Sequence, residues 1–152
     1  MSASEKLAAL GLKLPEVVAP VAAYVPAVRT GNYVYSSGQL PFVEGKLQGT
    51  GKVGDSVTVE QAAGFARIAA LNALAAAAEA AGGLDAIKRV VKVVCFVASA
   101  PDFTAQAQVA NGASELLIDV LGDAGKHARS AVGMAVLPLD TPVEVEIVVE
   151  VA

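Results

Sequence analysis

Val143-Glu144-Val145-Glu146-Ile147-Val148-Val149-Glu150-Val151 closes the chain with apolar residues at 143, 145, 147, 149 and 151 and glutamates at 144, 146 and 150. A period of two is the signature of a strand with one apolar face. The three carboxylates on the other face need water, a cation or a partner, because an unpaired buried carboxylate is prohibitively costly. A second apolar run lies just upstream, and Leu137-Pro138-Leu139-Asp140-Thr141-Pro142 joins the two. Arg129 opens that run with only Ala128, Ser130 and Ala131 around it. A guanidinium at the end of an apolar strand can grip a planar anion such as a carboxylate. Taken alone, it reads more readily as a surface charge at a strand end.

Working outward, Ile87 to Ala98 is a strand apolar on both sides, interrupted only by Lys88, Arg89 and Lys92. Before it, Thr58-Val59-Glu60-Gln61 has the form of a capping box, and Gly82-Gly83 ends a helix over 58–81. Phe65, Ile68, Leu71, Leu74 and Ala78 form its bulky stripe. After the strand, Ser99-Ala100-Pro101-Asp102 predicts a second helix start, with Val109, Ala113, Leu116, Leu117, Val120 and Leu121 at helical spacing up to Gly122. Two strands, Ala22–Arg29 and Tyr33–Gln39, are expected around a Thr30-Gly31-Asn32 turn. Ahead of them, a short helix after Ser4 stops at Gly11, and Pro15 and Pro20 extend the lead-in over 1–20.

The order of elements is β-β-α-β-α-β-β, with the strands in one sheet. Right-handed crossovers put both helices on one face of it. No further segment is left to cover the opposite face, so copies of the same chain are expected there.

At 152 residues, one domain spanning 1–152 is expected, with a core rich in alanine. The net charge of −4, with four arginines and seven lysines scattered along the chain, argues against a nucleic-acid partner. The lone Cys95 excludes an internal disulfide and reads as a buried, inert thiol. The start has no signal-peptide pattern, and the alanine stretch 62–81 is too weakly hydrophobic for a membrane span, so a cytoplasmic protein is expected. No metal-ligand cluster or phosphate-cradling glycine motif stands out; Gly49-Thr50-Gly51-Lys52 lacks the required spacing. His127, beside a turn, reads as a solvated side chain.

Ala128-Arg129-Ser130-Ala131-Val132, Leu137-Pro138 and Val143-Glu144-Val145-Glu146 resemble the C-terminal signature of the RidA/YjgF family of imine and enamine deaminases. Tyr24-Val25-Pro26, Gly31-Asn32 and Ser37-Gly38-Gln39-Leu40-Pro41 resemble its N-terminal hairpin, and Pro101-Asp102-Phe103 with Asn111 its second helix. The resemblance implies a chorismate-mutase-like α+β fold with a mixed sheet and two helices on one face, a homotrimer with clefts between subunits, and deamination of 2-aminoacrylate-like intermediates to 2-keto acids and ammonia without metal or cofactor. It implies that Arg129 holds the substrate carboxylate and that Glu144 positions the attacking water or passes a proton. Tyr24, Ser37, Gly38 and Asn111 would line the cleft. Ala131 stands where many members have cysteine, and the lead-in and the Leu116–Lys126 segment suggest a side branch whose substrate can differ. The alternatives are a non-catalytic module binding small carboxylates or partner proteins, and the endoribonuclease role attached to the family name.

Overall fold

The alternating C-terminal run is strand β7 (Val143–Val151), at the centre of a five-stranded sheet in the computed structural model, which describes residues 1–152. The spatial order is β1 (Ala27–Thr30), β2 (Tyr33–Ser36), β7, β5 (Ile87–Ala98) and β6 (Ala128–Met134). All neighbours are antiparallel except β5 and β6, which run parallel. A parallel pair needs a long crossover, and helix α3 (Gln106–Leu121) provides it. Helix α2 (Val59–Ala81) connects the front of the chain to β5. Between β2 and α2, the two-residue strands β3 (Phe42–Val43) and β4 (Lys46–Leu47) form a separate hairpin. Its turn residues Glu44 and Gly45 both have positive φ, which suits a tight primed turn.

The α+β mixed sheet is as expected. Val143, Val145, Ile147, Val149 and Val151 are fully buried, together with Val90, Val93, Cys95 and Val97 of β5, in one core with α2 and α3. On the other face Glu144, Glu146, Val148 and Glu150 are half-buried. That face carries Val28 at 53%, Tyr33 at 44%, Tyr35 at 49% and Val132 at 40% exposure, none covered within the chain. No helix is long and apolar enough to cross a membrane.

Several boundaries differ from the sequence reading. Strand β1 starts at Ala27 instead of Ala22, because Pro26 just before it has no N–H to give to a ladder. Strand β2 stops at Ser36, and Gln39 rejoins the sheet separately through two backbone hydrogen bonds with Val145. Helix α3 starts at Gln106, not at Ser99–Asp102. Pro101-Asp102 forms a turn, and the Gln106 amide donates to the Phe103 carbonyl at 2.8 Å and to Ser99 Oγ at 3.2 Å.

Helix α2 obeys its capping box and ends at Gly82 in the left-handed region. Its buried face, however, is Ala62, Ala66, Ala69, Ala70, Ala73, Leu74 and Ala77, while Phe65, Ile68 and Leu71 are half-buried at its margin. Small side chains face inward because α3 comes too close for large ones. A Cβ at Gly112 would stand 2.7 Å from the carbonyl carbon of Ala63.

The lead-in is part of the body. Helix α1 (Ala3–Ala9) is capped by Ser2, whose hydroxyl accepts from the Glu5 amide while Glu5 returns the bond, so Ser4 is not the cap. Ser4 instead donates its amide and its hydroxyl to the two oxygens of Asp85, at 3.0 and 2.7 Å. Those bonds hold the Asp85 carboxyl below its ordinary range. Leu7 then enters the core.

Candidate functional site

Arg129 stands beside Val93, which in turn pairs with Ile147, so its side chain leaves the sheet on the helix side. There Nη1 donates to Asn111 Oδ1 at 2.8 Å and to Ser114 Oγ at 3.1 Å, both on α3. A guanidinium carries five N–H donors in a fixed fork. With Nη1 committed to α3, the Nε–Nη2 edge keeps two parallel N–H groups free, the geometry that matches a carboxylate. The side chain is half-buried, and the chain's two ion pairs, Arg67–Asp119 and Lys126–Asp123, leave it without an anion.

Two residues behind Arg129 were not among those singled out. Ser114 lies one helical turn after Asn111, a spacing that puts both on one face. His127 is not a free, solvated side chain. Its Nε2 lies 2.8 Å from Ser114 Oγ and its Nδ1 2.6 Å from the Gly125 carbonyl. The signal was the Asn111/Ser114 spacing opposite a strand that opens on Arg129. Asn111 itself serves first to hold the arginine, leaving its amide N–H groups for a ligand.

Glu144 belongs to a different group. It pairs with Phe96, out of phase with the Arg129 row, and its side chain leaves the open face. Burial pushes its carboxyl up, and the like charge of Glu146 adds to the effect. Gly38 rests directly on this carboxylate: a Cβ there would collide with Oε1 and lie 2.8 Å from Cδ. Glycine therefore lets the backbone approach Glu144. Ser37 donates its hydroxyl to the Val25 carbonyl at 2.5 Å and its amide to Pro26 at 2.8 Å, pinning the segment that carries the exposed Tyr24.

The six residues named from sequence thus fall into two clusters. Arg129 and Asn111 stand on the helix side of edge strand β6. Glu144 and Gly38, with Ser37 and the Tyr24 segment attached, belong to the β2–β7 side of the open face. One chain does not bring them to a common point. Two shallow, open grooves run between the 14–27 arm and α2 and include none of the six. No three His, Cys, Asp or Glu side chains converge on a place where a metal could sit. Cys95, on the helix side next to Ala131, is buried, and its thiol is pushed up to about 12 against the opposing pull of Arg129.

The fold is shared by known proteins. The YjgF/chorismate-mutase-like family, described as a presumed endoribonuclease, matches residues 4–151. The chain belongs to the YjgF family. Within it, a relative is Protein TCP17 of Trypanosoma cruzi, 46% identical over 142 residues, covering 93% of this chain and 89% of that one. A presumed endoribonuclease from Shewanella oneidensis superimposes with a TM-score of 0.95 at 32% identity, over 99% of this chain and 100% of the other. Escherichia coli TdcF, solved with bound serine, is a more distant structural match: TM-score 0.62, 26% identity, 88% and 92% coverage.

Proposed function

We propose that this YjgF-family chain hydrolyses imines and enamines of small 2-amino acids to 2-keto acids and ammonia. The observation that carries the reading is the half-buried Arg129 guanidinium, held by two neutral acceptors, with a free bidentate edge and no carboxylate of its own. A partly desolvated cation kept without a counter-ion is costly unless an anion comes to it. A 2-imino acid supplies that anion as its carboxylate. The reading is supported by TdcF, a structural relative solved with bound serine, a molecule that has such a carboxylate.

In this reading an enamine first takes a proton on its terminal carbon and becomes the imine. Water then adds to the imine carbon as Glu144 accepts one of its protons. That proton passes to nitrogen to give the amino alcohol; the hydroxyl then yields its own proton through Glu144 to the same nitrogen, the C–N bond breaks, and ammonia leaves as the carbonyl forms. A carboxyl with a raised affinity for protons suits both receiving and returning one. The acceleration comes from positioning and charge, the Arg129 edge fixing the carboxylate and Glu144 the water.

Because Arg129 and Glu144 leave opposite faces, the working cleft joins Arg129 and Asn111 of one copy to Glu144, Ser37, Gly38 and Tyr24 of another. The uncovered Val28, Tyr33, Tyr35 and Val132 face is where copies pack, and a homotrimer is the assembly proposed. Light scattering on the eluting protein tests this, since a mass near one 15.3 kDa chain contradicts it. Ribonuclease action draws no support from 11 basic residues against 15 acidic ones.

The deciding experiment generates imino acids in place with an amino-acid oxidase or a dehydratase and follows imine loss across a panel of amino acids. Wild type accelerates it without added metal or cofactor. Glu144→Gln retains pyruvate binding and loses turnover. Arg129→Lys weakens pyruvate about ten- to a hundredfold, since a hydrogen bond to a charged group contributes roughly 1.5–3 kcal/mol. A wild-type protein that binds pyruvate and never speeds imine loss is a carboxylate-binding module instead.

A further inference from the structure

Three elements converge behind Arg129: helix α3, the turn 122–125 and strand β6. The turn is drawn tightly onto α3, because a Cβ on Gly125 would stand 2.7 Å from the Leu117 carbonyl carbon and 2.8 Å from Ile118 Cα. Gly125 thereby brings its own carbonyl under His127 and sets the imidazole against Ser114. A carbonyl oxygen only accepts, so Nδ1 of His127 carries the proton. In the neutral ring Nε2 is then an acceptor, and the Ser114 hydroxyl donates to it. The lone pairs of Ser114 Oγ remain for the N–H of Arg129 Nη1.

We propose that His127 and Ser114 are positioning residues for Arg129, a relay that orients the guanidinium so that its Nε–Nη2 edge faces the substrate carboxylate. The proposal rests on the reading of Arg129 as the carboxylate grip. A serine inside a helix ordinarily turns its hydroxyl back to a carbonyl four residues earlier. His127 draws that hydroxyl away, which leaves the oxygen aimed at Arg129 and polarised as a better acceptor. Asn111, one turn before, holds the second hydrogen of the same nitrogen. Without the relay the guanidinium would regain rotational freedom and lose it again on each binding event. Immobilising one such side chain corresponds to about a two- to twelvefold change in affinity.

The test measures pyruvate affinity by calorimetry and the kinetics of imine hydrolysis in wild type, Ser114→Ala, His127→Phe, Arg129→Lys and the Ser114→Ala/Arg129→Lys double variant. Alanine at 114 is a better helix former than serine, so the helix survives the change. We expect Ser114→Ala and His127→Phe each to weaken pyruvate about two- to twelvefold and to raise KM with little change in kcat. In the Arg129→Lys background Ser114→Ala should cause no further loss. Nitrogen NMR of the His127 ring should show protonated Nδ1 and an Nε2 whose resonance moves in Ser114→Ala. Weakened Arg129→Lys beside unchanged Ser114→Ala overturns the relay and leaves the grip intact. An equal loss from Ser114→Ala in both backgrounds marks a general structural effect and also overturns it. Pyruvate binding unchanged in Arg129→Lys removes the grip, and the relay with it. Protonated Nε2 with bare Nδ1 contradicts the relay whatever the affinities are.

Discussion

Replacing Gly112 with alanine sets two opposing effects against each other. In an ordinary helix interior the exchange stabilises by about 0.8–1.0 kcal/mol, because alanine loses less conformational freedom on folding. At this position the added methyl would meet the Ala63 main chain, 2.7 Å from its carbonyl carbon and 3.0 Å from its Cα. Carbon–carbon contacts become comfortable only near about 3.5 Å, and the Ala63 carbonyl oxygen is closer still than its carbon, so α3 must retreat from α2 by more than roughly 0.8 Å. The obstacle is backbone, so no rotamer change relieves it. Overpacking against backbone falls in the upper part of the usual range, about 2–3 kcal/mol, and subtracting the propensity gain leaves a net loss of about 1–2 kcal/mol. For a chain of this length that lowers Tm by about 2–8 °C.

Urea unfolding followed by circular dichroism reads the change, with thermal melts at one fixed protein concentration because association shifts Tm. Gly112 also stands between Asn111 and Ser114, so pyruvate affinity should fall in the same variant. An unchanged or raised midpoint for Gly112→Ala would falsify the close α2–α3 crossing on which this reasoning depends.

A second prediction concerns Glu144, whose raised carboxyl means the folded chain holds a proton that the unfolded chain has released. Its contribution to stability therefore falls as pH rises from the unfolded value of 4.5 through the folded one, and stays lost above. Glu144→Gln should flatten that part of the stability–pH curve and leave the protein at least as stable at pH 7; a variant less stable at pH 7 than at pH 4 relative to wild type contradicts this. Cys95, buried and pushed up to about 12, should resist thiol alkylation in the native state and react fully in urea. Rapid labelling of the folded protein would show that β5 opens easily.

The parts of the fold legible in the sequence are those fixed by short-range rules. The period of two in β7, the Thr58 capping box and the Gly82 stop each depend on residues within one turn or strand of each other, and each has its expected structure. The start of α3 was misread because Pro101-Asp102 carries a helix-start pattern, yet the chain uses it for a turn and delays the helix to Gln106. The alanines of α2 signal a close neighbour, but the periodicity of its bulky residues points to the Phe65, Ile68 and Leu71 stripe and not to the alanine face that turns inward. It reflects how near α3 comes, and that distance is set by Gly112 fifty residues away. At the site, Arg129 stands out from local pattern, whereas Glu144, Tyr24, Ser37, Gly38 and Asn111 are assigned to it by the family resemblance. Their division between two faces needed the register of β6 and β7 against β5, and the role of His127 needed the fold of the 122–125 turn.

The placement of Arg129 and Glu144 on opposite sides of one sheet separates two quantities that usually travel together. In the proposed assembly each chain is a finished fold and an unfinished catalyst, contributing half of one reaction centre forwards and half of another backwards. Activity per chain then becomes a function of how crowded the solution is, and a dilute sample can be fully native and chemically silent. A substitution anywhere on the contact face would resemble an active-site lesion in an assay while leaving both reacting groups untouched.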